Sequence, residues 1–403
     1  MDDAASKWKA LLQFAYDNKL SDLYRAKFTE AGFDPARDFH SLDDINKVPF
    51  LTRSDIAAAG PRLLFVPESE VDEVSSTSGT TSGKPAILFR SKTDRAPESV
   101  ESIDYGRTMI LSSAFRRHQG KKGVVLTGDI HNLPVSCALA ATLRVNTIVT
   151  TPTLAIMLKQ YMLPHPALMQ SLKYLRLGGE PTSAYKRKVV QELYPGVQML
   201  FSYGLAETSR ITVPCTYLAK RQEGIYYHPY TERFYIEIID GELVLTDLKN
   251  RATPIIRYKT GDRATLTEHT CPCGTQGPIL EVLGRIDGDL VNVGGFVLRA
   301  EALEKPLALL KEYVQSNFEA HVRERFVDSK PRLQIELLFE LQSGVEASEA
   351  VAHKINSVLM EHWRLSPTLN LARASEAGLV APLHLTFTSF PNSPKARSKI
   401  LLH

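Results

Sequence analysis

From residue 123 the chain alternates between short apolar runs and longer amphipathic stretches. "GVVLTG" (123–128), "NTIVTT" (146–151), "LKYLRLGGE" (172–180) and "VQMLFSYG" (197–204) read as buried strands, the third running into a glycine turn. "PVSCALAATLR" (134–144), "PTLAIMLKQYM" (152–162) and "SAYKRKVVQELYP" (183–195) read as helices, with Pro152 near the first helical position of the second. Strand–helix alternation predicts a mainly parallel sheet covered by helices. The first 70 residues read as short helices joined by loops, with Ser41 as an N-cap and Asp43 and Asp44 in the first turn behind it.

After residue 215 the period changes. "RFYIEIID" and "LVLTDL", joined through Gly241 and Glu242, read as a hairpin around Asp240-Gly241, and "TPIIRYKTGDRATL" continues with antiparallel strands. Beyond "GRIDGD" (284–289) the pattern predicts a helix at 300–316, a strand "RLQIELLFEL", a helix at 346–362 and a strand "LHLTFTSF". This is a small α+β unit. Charged and glycine residues at Asp287–Asp289 interrupt the hydrophobic pattern, which places a boundary there and gives domains of 1–288 and 289–403. The fold class is thus α/β: a large N-terminal domain with a mainly parallel sheet and an antiparallel β subdomain, then a small C-terminal domain.

Composition narrows the class. The 403 residues are 43% hydrophobic and 23% charged, with a net charge of +3, which describes a soluble globular protein. Near-balanced charge gives no field for nucleic acid or a membrane surface. No apolar run has the length of a membrane span, and the N-terminus lacks a signal-peptide core. Four cysteines are too few for a disulfide scaffold, so a reducing, cytoplasmic setting is expected.

"SSTSGTTSGKP" (75–85) holds the densest chemistry. Residues 75–82 are all Ser or Thr except Gly79, and Gly83, Lys84 and Pro85 follow. It is not a Walker A loop: three residues separate Gly79 from Gly83, and Pro85 stands where the magnesium-binding hydroxyl belongs. Glycines still let the backbone approach an anion, and hydroxyls and Lys84 add donors. Such a loop suits a phosphate that must leave; a Ser/Thr-rich surface loop is the plain alternative. Four motifs follow in order: "GGEP" (178–181), "FSYGLAETS" (201–209), "RYKTGD" (257–262) and "GRIDGD".

These five motifs in this order resemble the AMP-forming adenylating enzymes, the superfamily of acyl-CoA synthetases, nonribosomal adenylation domains and luciferases. "KVPFLTRSDIAAAGPRLLFVPESEVDEVSSTSGTTSGKP" and "PIIRYKTGDRATL…CPCGTQGPILEVLGRIDGD" resemble the phenylacetate–CoA ligase branch most closely. The resemblance implies ATP-dependent activation of a carboxylic acid, of aryl or aryl-alkyl type, as acyl-AMP with release of pyrophosphate. Transfer to the thiol of CoA follows, or to a carrier-protein pantetheine, or to an amine; a non-catalytic nucleotide-binding relative is the reading from another class. A homodimer is compatible with all of these.

The resemblance also implies roles. Ser76, Thr77, Ser78, Gly79, Thr80, Thr81, Gly83 and Lys84 would cradle the β- and γ-phosphates. Gly178, Gly179, Glu180 and Pro181 would line the adenine pocket, and Tyr203, with Gly204 beside it, would lie on the purine face. Glu207 would bind Mg²⁺ and Thr208 would sit near the α-phosphate. Asp262 would accept the ribose hydroxyls, and Arg285 would contact ribose or phosphate. Lys395, in "PNSPKARSKILLH", matches the lysine that meets the reacting carboxylate, with Lys399 as fallback; a solvated basic tail is the bland alternative. The small domain would rotate at Asp287–Asp289 between the half-reactions. In "NVGGFVL" Gly294 and Gly295 would leave room for a pantetheine arm, although an Arg–Gly–Val–Asn string is usual in the phenylacetate branch. Asp129 and Ala206 fall in the acyl pocket, where Asp129 would pair a substrate amino group or cap the following helix. Cys271-Pro-Cys273 is a weak metal signal alone. Cys215 and His228 match the other ligands of a structural zinc in some relatives, which implies a Cys₃His site; the alternative is free thiols beside a histidine.

Overall fold

A computed structural model describes the chain except residues 1–2, 77–85, 95–105, 112–123, 180–181, 183, 214, 216, 221–225, 269, 287–289, 294–295, 300, 367–368, 390–398 and 403. Thr77, Ser78, Gly79, Thr80, Thr81, Gly83, Lys84, Glu180, Pro181, Gly294, Gly295, Lys395 and the Asp287–Asp289 boundary therefore lie outside the described residues. The described residues of Met1–Asp104 and Leu200–Gly284 form one compact unit. Those of Tyr105–Arg117, Gly123–Met199 and Arg285–His403 form another. Among the described residues no helix is long and apolar enough to cross a membrane.

The second unit contains the expected parallel strands. Val125–Thr127, Thr108–Leu111, Thr147–Thr150 and Tyr174–Leu177 lie side by side in that order, and Gln198–Phe201, within which the chain passes between the units, closes the sheet. Thr108–Leu111 has no counterpart in the sequence reading. All four of its residues are buried, and its neighbour packs so tightly that a Cβ on Gly128 would stand 2.6 Å from Leu111 Cδ2. The helix Pro152–Met162 forms as expected, with Thr151 Oγ1 accepting from Leu154 N at 3.2 Å as its N-cap. The Tyr194 hydroxyl, just past the helix Ala184–Leu193, donates to Ala155 O at 2.6 Å and ties the two helices.

In the C-terminal part of this unit, strands His384–Phe387, Lys330–Leu341, Val314–Val327 and Lys399–Leu402 form one sheet in that order. The helix expected at 300–316 is corrected. It runs only from Glu301 to Ala308, with Pro306 inside it, and turns carry the chain into the strand Val314–Val327. Proline removes a backbone donor and ends helical propagation. Past it, Phe318, Ala320 and Val322 alternate into the core against Leu337, Phe339, Ile355, Leu359 and Trp363.

In the first unit, helices Asp3–Tyr16, Leu23–Glu30 and Arg53–Ala59 share a core with the segment Leu248–Tyr258. Ser41 caps as expected, its hydroxyl accepting from Asp43 N at 3.2 Å while Asp44 accepts from Ser41 N at 3.1 Å. The antiparallel sheet has the order Thr212–Val213, Tyr226–Pro229, Pro278–Arg285, Tyr258–Glu268, Glu242–Asp247, Phe234–Ile239. The predicted hairpin turns at Asp240 (φ 53°) and Gly241 (φ 79°), the two left-handed residues a type I′ turn requires. At its open end Arg233 makes a two-pronged ion pair with Asp247 at 2.7–3.1 Å, both side chains buried.

Candidate active site

"FSYGLAETS" folds into a small hairpin. Gly204–Leu205 pairs with Ser209–Arg210, which leaves Ala206, Glu207 and Thr208 at its tip. Its base is held by Tyr203, whose N–H donates to Thr212 Oγ1 at 2.8 Å and whose carbonyl accepts from Ile211 N at 3.0 Å. Two of the three tip residues are turned inward, Glu207 at 7% exposure and Thr208 at 1%, while Ala206 is exposed. A buried carboxylate needs partners. The Tyr258 hydroxyl donates to Glu207 Oε1 at 3.0 Å, and among the described residues no cation pairs with Glu207. Arg90, itself buried, donates from Nη2 to Ala206 O at 2.7 Å and fixes the tip from behind.

"RYKTGD" supplies the facing wall. Arg257 takes a left-handed backbone (φ 45°), which a side chain adopts only where its surroundings enforce it. Its guanidinium bridges both Glu237 oxygens at 2.9–3.1 Å, donates to Val48 O at 2.6 Å and lies 4.2 Å from the Phe50 ring centroid. From there the strand Tyr258–Glu268 sends Tyr258 to Glu207 and brings Asp262, 7% exposed, to Tyr203. The Tyr203 hydroxyl donates to Asp262 Oδ2 at 2.5 Å. Gly261 has φ 73°, and its N–H donates to Glu242 Oε1 at 2.9 Å, at a bulge in the pairing with the neighbouring strand. Tyr227 packs its ring on Tyr203, with centroids 6.0 Å apart. Burial, and then the charge of Asp262, push the Tyr227 phenol well above its ordinary pKa, so it stays protonated.

Tyr203, Gly204, Ala206, Glu207, Thr208 and Asp262 are thus brought together in one unit. The other described expectations lie elsewhere in the chain. Ser76 ends the strand Val71–Ser76, next in sequence to the hydroxyl-rich motif. Gly178 continues from the strand Tyr174–Leu177, its N–H donating to Thr150 O at 3.3 Å, and Gly179 has the left-handed φ of 80°. Arg285 ends the strand Pro278–Arg285. Asp129 is exposed, and its Oδ1 accepts from His131 N at 2.8 Å. The N-cap of the helix Leu133–Thr142 is Asn132, not Asp129, because Asp129 is spent closing the turn before it. Sequence reasoning gave no role to Tyr258, Arg257, Tyr227 or Arg90. Tyr258 and Arg257 stand inside a motif already singled out; nothing local marks the other two.

Cys215, His228, Cys271 and Cys273 converge, their ligand atoms all within 4.8 Å of one another. Cys215 follows the strand Thr212–Val213, His228 lies on Tyr226–Pro229, and Cys271 and Cys273 belong to the turn between Tyr258–Glu268 and Pro278–Arg285. The Cys215 and Cys271 sulfurs are 3.8 Å apart, and Cys273 Sγ is 3.2 Å from His228 Nε2. Zn–S bonds of about 2.3 Å in a tetrahedron set sulfurs about 3.8 Å apart, so this donor set fits zinc. Leu218 N donates to Cys215 Sγ at 3.3 Å and Thr275 N to Cys273 Sγ at 3.4 Å, bonds that favour thiolates. Burial lowers the His228 pKa and keeps the imidazole neutral, as a ligand must be.

The chain aligns over 99% of its length with 88% of a solved 2-hydroxyisobutyryl-CoA ligase in complex with 2-HIB-AMP and CoA, at TM-score 0.68 and 21% identity. The same enzyme in its postadenylation state gives a TM-score of 0.61 at 20% identity. The fold is that of an AMP-forming acid–CoA ligase. No family model matches the sequence. Phenylacetate–coenzyme A ligase of Thermus thermophilus is 30% identical over 366 residues, which span 82% of this chain and 79% of that protein. The Pseudomonas putida and Escherichia coli enzymes of the same name are 27% and 26% identical, over 82% and 79% of this chain. The chain belongs to the phenylacetate–CoA ligase family and is an acid–thiol ligase.

Proposed function

We propose that the protein joins ATP to a small carboxylic acid of aryl or aryl-alkyl type, releasing pyrophosphate, and passes the acyl group from acyl-AMP to CoA. The observation that carries this reading is the buried frame in which Tyr258 holds Glu207 and Tyr203 holds Asp262. Family membership supports the reaction class, and the curated relatives' name supports the acid class.

In the first half-reaction a carboxylate oxygen of the acid attacks the α-phosphorus. The bond from that phosphorus to the bridging oxygen breaks, and pyrophosphate departs. Such chemistry depends on positioning and charge neutralisation. Ser76 and the hydroxyls and glycines through Lys84 would grip the departing phosphates. Gly178, Gly179, Glu180 and Pro181 would border the base, Tyr203 would stack on it, and Asp262 would accept from the ribose, with Arg285 as a further contact. The Tyr203–Asp262 hydrogen bond orients that carboxylate before the sugar arrives. Thr208 would donate to the α-phosphate, and Lys395 would neutralise charge built up in line. A buried carboxylate with a neutral hydroxyl partner and, among the described residues, no paired cation suits a hard cation, so Glu207 would hold Mg²⁺, which when bound screens the phosphate charges.

In the second half-reaction the thiol attacks the acyl carbon, AMP leaves, and the thiol proton passes to solvent. Rotation of 289–403 against 1–288 would withdraw Lys395 and let the thiol pass Gly294 and Gly295. Asp129 and Ala206 would border the acid. Cys215, His228, Cys271 and Cys273 would hold a structural zinc that cross-links the antiparallel sheet.

Pyrophosphate release with ATP should be measured over aromatic, aliphatic and amino acids, with and without CoA. Release with aryl acids and CoA consumption support the reading. AMP formation without CoA consumption moves the acceptor to a carrier thiol or an amine, and no release with any acid refutes catalysis.

A further inference from the structure

Two short strands, Thr212–Val213 and Tyr226–Pro229, join the Cys/His cluster to the Tyr203–Asp262 pair. His228 follows Tyr227 on Tyr226–Pro229, so the two side chains leave opposite faces. One belongs to the cluster; the other packs its ring on Tyr203 at 6.0 Å. Cys215 comes three residues after Thr212, whose hydroxyl accepts from Tyr203 N at 2.8 Å. Thr212 and Val213 pair with Pro229 and His228, so the segments bearing these two ligands are bonded to each other. Cys271 and Cys273 join from the turn that follows the strand of Asp262. Thr212–Val213 is a two-residue strand at the edge of the sheet, and little besides its pairing with Tyr226–Pro229 holds its register. A tetrahedral cross-link at one face would hold the register of whatever the other face carries.

We propose that Tyr227 and Thr212 are positioning residues of the nucleotide site and that zinc in the Cys₃His cluster holds them there, so that metal content sets ATP affinity. The proposal rests on the reading that nucleotide binds at Tyr203 and Asp262. Thr212 holds the Tyr203 backbone and Tyr227 its ring, so loss of either lets the Tyr203 hydroxyl leave Asp262. Neither residue needs to touch ATP.

The test uses the full-length protein as purified, with zinc measured by mass spectrometry and ATP binding by calorimetry. Thr212→Val should weaken ATP binding about five- to tenfold, the worth of one hydrogen bond, with zinc content unchanged. Tyr227→Leu, which keeps apolar volume, should do likewise, and both should raise KM for ATP far more than they lower kcat. Chelation should weaken ATP binding at least about tenfold, and added Zn²⁺ should restore it. Unchanged ATP affinity in Thr212→Val and Tyr227→Leu overturns the positioning role. Equal affinity before and after zinc removal, or tight ATP binding by protein purified without zinc, overturns the metal's part. Failure of the wild type itself to bind ATP refutes the functional reading instead, and this outcome differs from all the others.

Discussion

Tyr258→Phe isolates one atom of the proposed catalytic frame. The ring is 2% exposed and packed in the N-terminal core, and phenylalanine keeps it there, so melting temperature should change little. What disappears is the hydroxyl that donates to Glu207 Oε1 at 3.0 Å. Hydrogen bonds to charged groups contribute about 1.5–3 kcal/mol. This one is longer than the usual charge-assisted O–H···O⁻ bond, which favours the lower part of that range, about 1.5–2 kcal/mol. If Glu207 acts on the triphosphate, kcat/KM for adenylation should fall about 10- to 30-fold. The assay is continuous pyrophosphate release at saturating acid over a range of ATP and Mg²⁺ concentrations. Glu207→Gln and the double variant complete a cycle. If the hydroxyl acts through the carboxylate, removing it in the Gln background should cost almost nothing further. A loss below twofold in the single variant, or full additivity in the double, would refute the idea that Tyr258 works by holding Glu207.

Asp247→Ala should destabilise the protein by about 3–5 kcal/mol, because it leaves the buried Arg233 guanidinium without its ion partner; an unchanged denaturant midpoint would contradict this. Burial pushes the Cys137 thiol up to about 11, so at pH 8 it stays protonated and should resist iodoacetamide until pH approaches that value. At Cys273 burial also pushes upward, but bonds from Thr275 and the neighbouring thiols hold the pKa below its ordinary value. This exposed residue should therefore be alkylated first after chelation, and peptide mass spectrometry showing Cys137 labelled first would sink the assignment. Lys395→Ala should cripple adenylation yet spare thioester formation from a supplied acyl-adenylate. Equal loss of both steps would mean that this lysine is misplaced in the mechanism.

Local pattern determined much of this protein. Four apolar runs became strands, the helix Pro152–Met162 starts and stops where its proline and periodicity place it, and Asp240-Gly241 makes the turn its φ preferences demand. These elements are legible because their stability comes from neighbours in sequence: caps, turn residues and a repeating apolar face. The motifs likewise marked Tyr203, Glu207 and Asp262 as candidates, since each sits in a segment whose glycines and polar residues form a recognisable string, and the fold brings the three into one unit. Short, unmarked elements were decided otherwise. Thr108–Leu111 is a strand because two neighbours offer it partners on both edges, and Val314–Val327 is a strand because the sheet needs the alternating face that begins past Pro306. The partners of the site residues also came only with the fold. Tyr258 reaches Glu207 across 51 residues and Tyr203 reaches Asp262 across 59. The Cys215 and Cys271 sulfurs meet across 56. Hydrogen bonds and ligand sets act over a few ångströms in space whatever the separation along the chain, so a one-dimensional pattern can mark which residues carry chemistry but not which of them will touch.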